Sequence, residues 1–196
     1  MPASECIVCL QNELVPHLRG LLRCTHCGHV VADQDISAEE LRTLYQRNYF
    51  FGDEYNDYLR DKEALQRNFQ LRLDTLRRHA DVRVHKRLLE IGCAYGFFLD
   101  VAQTQFESVQ GIDIASDGVR HTREELGLNA VEGDVLSHDF GGQMFDVVTM
   151  WDTIEHLKDP QLFVERAASL TTSGGLLAIT TGDIGSANAK LRKENW

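Results

Sequence analysis

The 196-residue chain has no apolar run that approaches membrane-spanning length, and its first residues contain no apolar core typical of a signal peptide. Positive charge is also scarce, since 20 Lys and Arg stand against 30 Asp and Glu, giving a formal net charge of −10. This balance argues against a general surface for nucleic acid or for anionic membranes. We therefore expect a cytoplasmic protein with no membrane partner, for which nucleic acid is a disfavoured partner.

What the chain does have is the composition of a soluble globular protein, with 43% hydrophobic and 26% charged residues. Its length permits one full domain and a small additional unit. From the patterns described below, we predict a cysteine-rich unit over residues 1–35, a helical segment over 36–80 and an α/β domain over 81–196.

Four of the five cysteines form two CxxC pairs near the N-terminus, and fourteen residues separate the pairs. They are Cys6, Cys9, Cys24 and Cys27. Each CxxC turn can place two thiolates on one tetrahedral ion, so the pattern predicts a structural zinc ribbon with no open position for catalysis. His26 and His29 are close enough to be substitute ligands. The alternative is two redox pairs, but neither pair opens a helix of a thioredoxin-like unit.

The segment over residues 36–80 is predicted to be mainly helical. Ser37-Ala-Glu-Glu40 is a capping box that predicts a helix through about Arg47. An aromatic-rich run follows over residues 48–58, and a long helix with apolar residues at helical spacing then reaches about His79.

The chain is organised around the stretch from Leu88 to Asp100, which predicts a buried strand, a glycine turn and the start of a helix. Gly92 and Gly96 bracket a turn at which a ligand can approach the backbone, and the amides at the start of the next helix point into that gap. A dinucleotide fingerprint would need a third glycine where Phe97 stands, so NAD binding is disfavoured.

The pattern Glu90-x-Gly92-x-x-x-Gly96 resembles the first motif of the Rossmann-like (class I) methyltransferases that depend on S-adenosylmethionine (SAM). That family usually has glycine where this chain has Ala94. The resemblance implies a doubly wound, mostly parallel sheet with strand order 3-2-1-4-5. It also implies that Glu90, Gly92, Ala94 and Gly96 line the cofactor.

Three further sequence motifs follow in the order that this family shows. The resemblance covers about residues 86–181. A second strand ends at Asp113, whose carboxylate can accept both ribose hydroxyls, and Ile114 would pack on the adenine. An equally open interpretation is that Asp113 only starts the next helix. Asp134, or the neighbouring backbone at Val135, would bind the adenine amino group. The last motif runs from Phe145 to Pro160.

Trp151, which lies in this last motif, is expected to pack beside the adenine. The further elements predicted here are helices over 97–106, 116–126 and 160–170 and a strand over 176–181. Ser116 is the predicted cap of the second helix, Gly127 its left-handed end, and Ser173-Gly-Gly175 a turn before the strand.

His156 is the candidate base for an oxygen acceptor, because its ordinary pKa suits proton abstraction near neutrality. If the loop is helical, Asp152 lies on the same face four residues earlier and could orient the imidazole. The alternative is that His156 fixes the loop or contacts SAM. Cys93 is interpreted as a small filler. Tyr49, Tyr55 and Tyr58 either line the site, as the resemblance implies, or pack the helical segment on the core.

These patterns predict a SAM-dependent methyltransferase that acts on a small molecule through oxygen or carbon, similar to bacterial sugar methyltransferases with an N-terminal zinc ribbon. The alternatives are a non-catalytic module that binds SAM or a partner, and a methyltransferase that acts on protein or nucleic acid. The family's full fold has two more strands than the 15 residues after Thr181 provide. We therefore expect a fragment, or a sheet edge that a second copy or another chain covers.

Overall fold

The computed structural model describes residues 5–18, 20–33, 37, 40, 43 and 58–192, which fall into two compact units. The first unit comprises residues 1–38 and 182–196, and we call it the ribbon unit. The second comprises residues 39–181, and we call it the sheet unit. Most of the helix predicted from Ser37, together with Tyr49 and Tyr55, lies outside the described residues.

The ribbon unit contains a three-stranded antiparallel sheet in the order β1-β2-β3. The strands are β1 (Leu14–Leu18), β2 (Leu21–Cys24) and β3 (Val30–Ala32). Cys24 at the end of β2 and Cys6 before β1 are fully buried, whereas the other residues of the three strands are half-exposed or exposed.

The sheet unit is an α/β fold around a five-stranded sheet in which every neighbouring pair of strands is parallel. In chain order its elements are α1 (Lys62–Leu76), β4 (Arg87–Ile91), α2 (Phe97–Ala102), β5 (Ser108–Asp113), α3 (Ser116–Glu124), β6 (Asn129–Glu132), β7 (Phe145–Trp151), a 3₁₀ turn (Ile154–His156), α4 (Pro160–Leu170) and β8 (Thr171–Thr180). A further helix, α5 (Ala187–Arg192), belongs to the ribbon unit.

The sheet order is β6-β5-β4-β7-β8, which confirms the predicted order 3-2-1-4-5. The two central strands read as apolar runs because helices cover both faces of a parallel sheet. Leu88 and Val147 pack in the cluster that includes α1, α2 and α3, whereas Leu89 and Val148 pack in the cluster that includes α4. Within the described residues, no helix is long and apolar enough to cross a membrane.

Two predicted helix boundaries are wrong by a few residues. Helix α2 ends at Ala102, because the amides of Gln105 and Phe106 both turn back to the Ala102 carbonyl. Helix α3 ends at Glu124, and Gly127 adopts its left-handed φ of 66° three residues later.

The predicted cap at Ser116 is also wrong. Ser116 is the first helical residue of α3, and the residue that precedes the helix is Ala115, which has extended backbone. No side chain of the described residues caps α3; the amide of Ala115 donates to Asp113 Oδ1 at 2.8 Å, which fixes the turn between β5 and the helix.

The predicted turn at Ser173–Gly175 lies inside β8, which begins at Thr171 directly after α4. The pairing register shifts there, from Phe145 opposite Thr171 to Val147 opposite Leu176. The glycines therefore form a bulge within β8 that accommodates the extra residues, and the strand begins before them and not after them.

Candidate functional site

The candidate site lies where the carboxyl ends of the central strands meet, and we call this region the carboxyl edge. Because β4, β5, β6 and β7 are parallel, the loops that follow them leave the sheet at the same edge. All the predicted cofactor residues and both predicted catalytic residues lie on the ends of these strands or in the loops that follow them.

The loop from Gly92 to Gly96 needs glycine at both ends for conformation and for space. Gly92 has φ 78° and Gly96 has φ 73°, in the left-handed region. A Cβ at Gly92 would lie 2.5 Å from Thr153 Oγ1, and one at Gly96 would lie 2.6 Å from Thr122 Cγ2. The loop is therefore packed against the residue beyond β7 on one side and against α3 on the other.

Ala94 lies in the middle of this loop with φ 45°, a conformation that usually favours glycine. Its amide donates to Asp113 Oδ2 at 2.7 Å, which holds the turn in place. Its carbonyl lies against Gly118, where a Cβ would be 2.5 Å from the oxygen. Sequence reasoning missed Gly118, although a glycine in the first turn of a helix is a signal of close backbone approach.

Asp113 is half-buried, and its carboxylate accepts the amides of Ala94 and Ala115, one on each oxygen. Burial raises the pKa of Asp113, and the amide hydrogen bonds act in the opposite direction. A carboxylate has about four acceptor positions, so the backbone amides leave capacity for further donors. The structure thus supports both interpretations of Asp113, as a helix-start acid and as a candidate partner for two hydroxyls.

Glu90 is a buried acid on β4 close to this carboxylate. Its side chain is 3% exposed, and within the described residues Oε2 has no hydrogen-bond partner. Burial raises the pKa of Glu90 well above its ordinary value, the charge of Asp113 adds to this, and Arg72 opposes it. An acid kept in such a position without a full set of partners is a candidate for contact with a positively charged or donating ligand.

Arg72 reaches the carboxyl edge from α1, and sequence reasoning did not single it out. Its guanidinium donates to Asp152 Oδ2 and lies 5.5 Å from the ring centroid of Trp151 and 5.3 Å from that of Phe69. Eighty residues separate Arg72 and Asp152 in the sequence, so only the packing of α1 against the sheet brings them together.

The predicted helical pairing of Asp152 with His156 is wrong. Asp152 has φ 49° and precedes the 3₁₀ turn, which starts at Ile154. Its carboxylate is held by Arg72 and by the Thr180 hydroxyl, which donates to Oδ1 at 2.9 Å. His156 is half-buried at the end of the turn.

Trp151 is 9% exposed and packs edge-on against Phe98, with ring centroids 5.2 Å apart. Within the described residues, the buried Nε1 of Trp151 has no hydrogen-bond partner. The indole therefore belongs to the core cluster, and its expected place beside an adenine stays a prediction.

The loop after β6 carries Asp134 and continues to Phe140; we call residues 133–140 the adenine loop, after the role predicted for it. The amide of Gly133 donates to the Asp113 carbonyl at 2.9 Å, which joins this loop to the end of β5. Asp134 Oδ1 accepts the amide of Leu136 at 2.9 Å. Val135 is buried and Ile114 is half-buried, so the four predicted adenosine residues lie on two adjacent strand ends.

Packing contacts describe Cys93, which was interpreted as a filler, and Tyr58, for which lining the site and packing were both open. Cys93 is buried with its sulfur over Gly111, where a Cβ would be 2.5 Å away, and burial raises the pKa of this thiol well above its ordinary value. Both facts fit a filler. Tyr58 is 7% exposed, and its ring stacks on that of Phe97 with centroids 5.3 Å apart and an interplanar angle of 7°. It therefore packs the chain before α1 against the first residue of α2.

In the ribbon unit, the four predicted metal ligands come together. The sulfur atoms of Cys6, Cys9, Cys24 and Cys27 all lie within 4.8 Å of one another. The two CxxC turns have matching backbone bonds, because the amide of Leu10 donates to the Cys6 carbonyl at 2.8 Å and that of Gly28 to the Cys24 carbonyl at 2.9 Å. Four converging thiols of this kind can hold a tetrahedral ion.

The four thiols shift in opposite directions: burial and the neighbouring thiols raise the pKa of Cys9 to about 12 and the pKa of Cys27 is also raised, whereas backbone amides favour the thiolates of Cys6 and Cys24. Burial acts to raise the pKa of Cys6, but the amides of Cys9 and Val8 outweigh it and bring the pKa to about 7. The amide of Cys27 lowers the pKa of Cys24 in the same way. Backbone donors aimed at cysteine sulfur are what a metal-bound thiolate requires.

Comparisons with known proteins agree with this geometry. The sequence profile of a family described as a methyltransferase domain matches residues 55–196. Ubiquinone biosynthesis O-methyltransferase from Erwinia tasmaniensis is 32% identical over 126 residues, which are 61% of this chain and 51% of that protein. The protein of the same name from Neisseria meningitidis serogroup C is 33% identical over 119 residues, 57% of this chain and 50% of that protein. The chain spans about half the length of these curated relatives.

Among solved structures, a Bacillus halodurans C-125 protein assigned as a methyltransferase has a similar fold. The TM-score is 0.52 at 20% sequence identity, and the match covers 60% of this chain and 53% of that chain. At this identity the comparison supports the α/β fold described above.

Proposed function

Because the chain belongs to the SAM-dependent methyltransferase family, we propose that it transfers a methyl group from SAM to a small-molecule acceptor. The curated relatives are named as O-methyltransferases, which favours an oxygen acceptor over the carbon acceptor that the sequence also left open.

The observation that carries the proposal is the carboxyl edge, where a glycine loop adjoins two partly satisfied acids. The loop formed by Gly92, Ala94 and Gly96 leaves its backbone close to Asp113, whose carboxylate retains capacity for the two ribose hydroxyls. Glu90 supplies a buried oxygen, Oε2, that has no partner within the described residues and can accept a hydrogen bond from the positively charged half of SAM. These residues fit the cofactor by the hydrogen-bond acceptors that they offer.

The remaining contacts follow from position. Asp134 and Val135 would bind the adenine, with Ile114 and Trp151 packing beside it. Arg72 carries the positive charge that opposes the raised pKa of Glu90, and its guanidinium suits the carboxylate of SAM. When bound, SAM supplies the electrophilic methyl group, and these residues bind it, orient it and exclude water.

His156 is our proposed proton acceptor for an oxygen nucleophile. It stands at the end of the 3₁₀ turn that leaves the carboxyl edge. With Asp152 committed to Arg72 and Thr180, the imidazole would act without that acid. The rival role, fixing the loop or contacting SAM, is distinguished by His156→Gln: loss of turnover with unchanged SAM affinity supports the base, and weakened affinity supports the rival.

Turnover is tested by incubating the zinc-replete chain with SAM and a panel of phenols and sugars, and by measuring S-adenosylhomocysteine. We expect product that depends on the acceptor and that is lost in Asp113→Ala. Binding of S-adenosylhomocysteine without product from any acceptor would instead support the non-catalytic SAM-binding module.

We further propose that the four cysteines of the ribbon unit hold one Zn²⁺ in a structural role. The support is the convergence of the four sulfurs and the amides that favour thiolates. Elemental analysis of the purified chain should find about one zinc per chain, and Cys24→Ser should lose most of it. A visible iron–thiolate absorption, or metal retained in Cys24→Ser, would contradict the assignment.

A further inference from the structure

Arg166 on α4 links that helix to the adenine loop through two hydrogen bonds from one guanidinium. Its Nε donates to the carbonyl of Val135 at 3.1 Å, and its Nη2 donates to the carbonyl of His138 at 2.7 Å. The side chain is half-buried, and its guanidinium carbon lies 5.8 Å from the ring centroid of Phe140. One planar fork therefore fixes the distance between two backbone positions of the loop.

The loop between those two carbonyls is a single compact turn that begins at Asp134. The Asp134 carbonyl accepts the amides of Ser137 and His138, at 3.1 and 2.9 Å, and Asp134 Oδ1 accepts the amide of Leu136. This arrangement ties Oδ1 to the turn, and we take Oδ2 as the oxygen that accepts from a ligand. The position of Asp134 Oδ2 thus depends on the contacts that hold the whole turn.

The turn is tied to the rest of the sheet unit on two sides. At its start, the amide of Gly133 donates to the carbonyl of Asp113. At its far side, Arg166 holds Val135 and His138, and Phe140 packs edge-on against His138 at 4.6 Å and against Phe145 at 5.7 Å. Removing the guanidinium would free the far side while leaving the tie to Asp113 intact.

We propose that Arg166 is a positioning residue for adenine selectivity, because its bridge between Val135 and His138 holds the Asp134 carboxylate where it can accept the exocyclic amino group. The proposal rests on the proposed function, since it assumes that the carboxyl edge binds an adenosyl cofactor. Arg166 itself acts through the loop and does not touch the ligand.

The proposal separates two properties of binding. Contacts to the ribose and to the amino-acid part of the cofactor come from Asp113, Glu90 and the glycine loop, which Arg166 does not support. Loss of Arg166 should therefore reduce the discrimination between adenine and its deaminated form more than it reduces overall affinity.

The experiment is a calorimetric titration of the full zinc-replete chain with S-adenosylhomocysteine and with S-inosylhomocysteine, in which the amino group is replaced by a carbonyl. For the native chain we expect the adenosyl ligand to bind at least about tenfold more tightly, because the deaminated ring offers Asp134 an acceptor in place of a donor. Asp134→Ala, which has no side-chain acceptor, defines the ratio that remains when this contact is lost.

Arg166→Met should lower the ratio of the two dissociation constants to that of Asp134→Ala. Arg123→Met is the matched control, because Arg123 on α3 also donates from Nε to a backbone carbonyl, that of Ala130 in β6, but does not contact the adenine loop. We expect the control to keep the native ratio. A loss of stability common to both arginine variants would leave this comparison unaffected.

A native ratio in Arg166→Met would overturn the proposal, whatever its thermal stability. If that variant does not fold, Arg166→Lys decides the question, since an ammonium keeps the charge but cannot bridge both carbonyls as a planar fork does. Failure of the native chain to bind S-adenosylhomocysteine would contradict the proposed function itself. Equal binding of the two ligands by the native chain would instead overturn only the role given to Asp134 and Arg166.

Discussion

Among single residues, Glu90 combines deep burial with an oxygen, Oε2, that has no hydrogen-bond partner in the part of the chain that the structure describes, and this burial costs free energy. Such a cost is common where a site is organised for a ligand, because the ligand and not the protein completes the hydrogen bonding. Sequence reasoning placed Glu90 at the cofactor from its motif, but the motif could not show that one of its oxygens lacks a partner.

Glu90→Gln should change how stability depends on pH. The pKa of Glu90 is raised well above the ordinary value of 4.5, so its contribution to stability is fully present below pH 4.5 and is lost as pH rises through the folded-state pKa. Each pH unit between the ordinary and the folded-state pKa removes about 1.4 kcal/mol of this contribution. Glutamine has no proton to lose, so the melting temperature of the variant should exceed that of the native chain increasingly as pH rises.

Thermal melting between pH 5 and pH 9 checks this, with Glu132→Gln at the exposed end of β6 as the control. Affinity for S-adenosylhomocysteine should fall in Glu90→Gln and stay unchanged in the control. Parallel pH profiles for the native chain and Glu90→Gln would show that Glu90 titrates without an effect on folding.

Leu10 in the ribbon unit has φ 58°, whereas the equivalent position of the second CxxC turn is Gly28 with φ 80°. A left-handed conformation costs a residue with a side chain about 1–2 kcal/mol, and glycine loses about 0.5–1 kcal/mol more backbone entropy on folding. Leu10 is 68% exposed, so little burial is lost by its removal. Leu10→Gly should therefore stabilise the ribbon by up to about 1 kcal/mol.

The measurement is the temperature of zinc release, followed with a metallochromic dye. Val8→Gly is the control, because Val8 is also exposed, at 63%, and does not have a positive φ. It should release zinc at a lower temperature than the native chain. A similar decrease in Leu10→Gly would mean that its left-handed conformation carries no strain.

At the scale of elements, Asp146 fastens the start of β7 to the start of β4. Its carboxylate accepts the amides of Lys86 and Arg87 at 3.0 and 2.9 Å, and the guanidinium of Arg87. Burial acts to raise its pKa, but these donors outweigh it and hold the pKa at about 2. The two central strands thus share one acid at their amino ends, away from the candidate site.

Asp146→Asn should destabilise the sheet unit by about 2–3 kcal/mol near neutral pH, because an amide nitrogen would face backbone donors. The lowered pKa means that the native stabilisation is present above the ordinary value of 3.8 and is lost as pH falls towards 2. In denaturant unfolding from pH 7 to pH 2, the difference in the free energy of unfolding between the native chain and Asp146→Asn should become smaller as the pH falls. Asp139→Asn keeps an oxygen that can accept the single exposed bond from the Gly141 amide, so it should cost less than about 1 kcal/mol and serves as the control.

The order of the elements could be predicted, but several of their ends could not. Strand order follows from motif order, because each strand that ends in an acid or glycine has its own place in the resemblance. The bulge at Gly174 could not be predicted, since the sequence shows two glycines but not the register shift opposite Phe145. The predicted cap at Ser116 is wrong because the turn after β5 makes Ser116 the first helical residue, with Ala115 before it.

In the candidate site, too, some residues could be predicted from the sequence and others could not. Acids that end strands, such as Asp113 and Asp134, are visible in the sequence because the strand itself positions them. Arg72 and Arg166 act across long sequence separations, so only the packing of α1 and α4 shows what they bind. The Asp152–His156 pairing failed because helical spacing does not hold where one residue has φ 49°.

At the scale of the whole molecule, β8 is the last strand at one edge of the five-stranded sheet, and its pairing with another chain can be tested. Within the described residues it pairs with β7 alone, and the ten residues from Thr171 to Thr180 carry no charge. Uncharged edge strands tend to pair with other chains. The expected coverage of this edge by a second copy or another chain stays a prediction.

Sedimentation velocity over a range of concentrations checks this prediction. The native chain should self-associate as concentration rises, and Ser173→Lys, which places a charge at an exposed position of β8, should weaken the association. Lys158→Ser, at an exposed position outside β8, is a control for surface charge. A native chain that stays monomeric throughout would contradict pairing between copies.

The central claim is that the carboxyl edge of the sheet binds an adenosyl cofactor through Asp113. Its most direct test is a calorimetric titration of the zinc-replete chain with S-adenosylhomocysteine and NAD, repeated on Asp113→Ala and on Glu107→Ala at the exposed amino side of β5. We expect saturable binding of S-adenosylhomocysteine alone, at least about tenfold weaker in Asp113→Ala and unchanged in Glu107→Ala. Equal binding by Asp113→Ala, or no binding by the folded native chain, would contradict the claim.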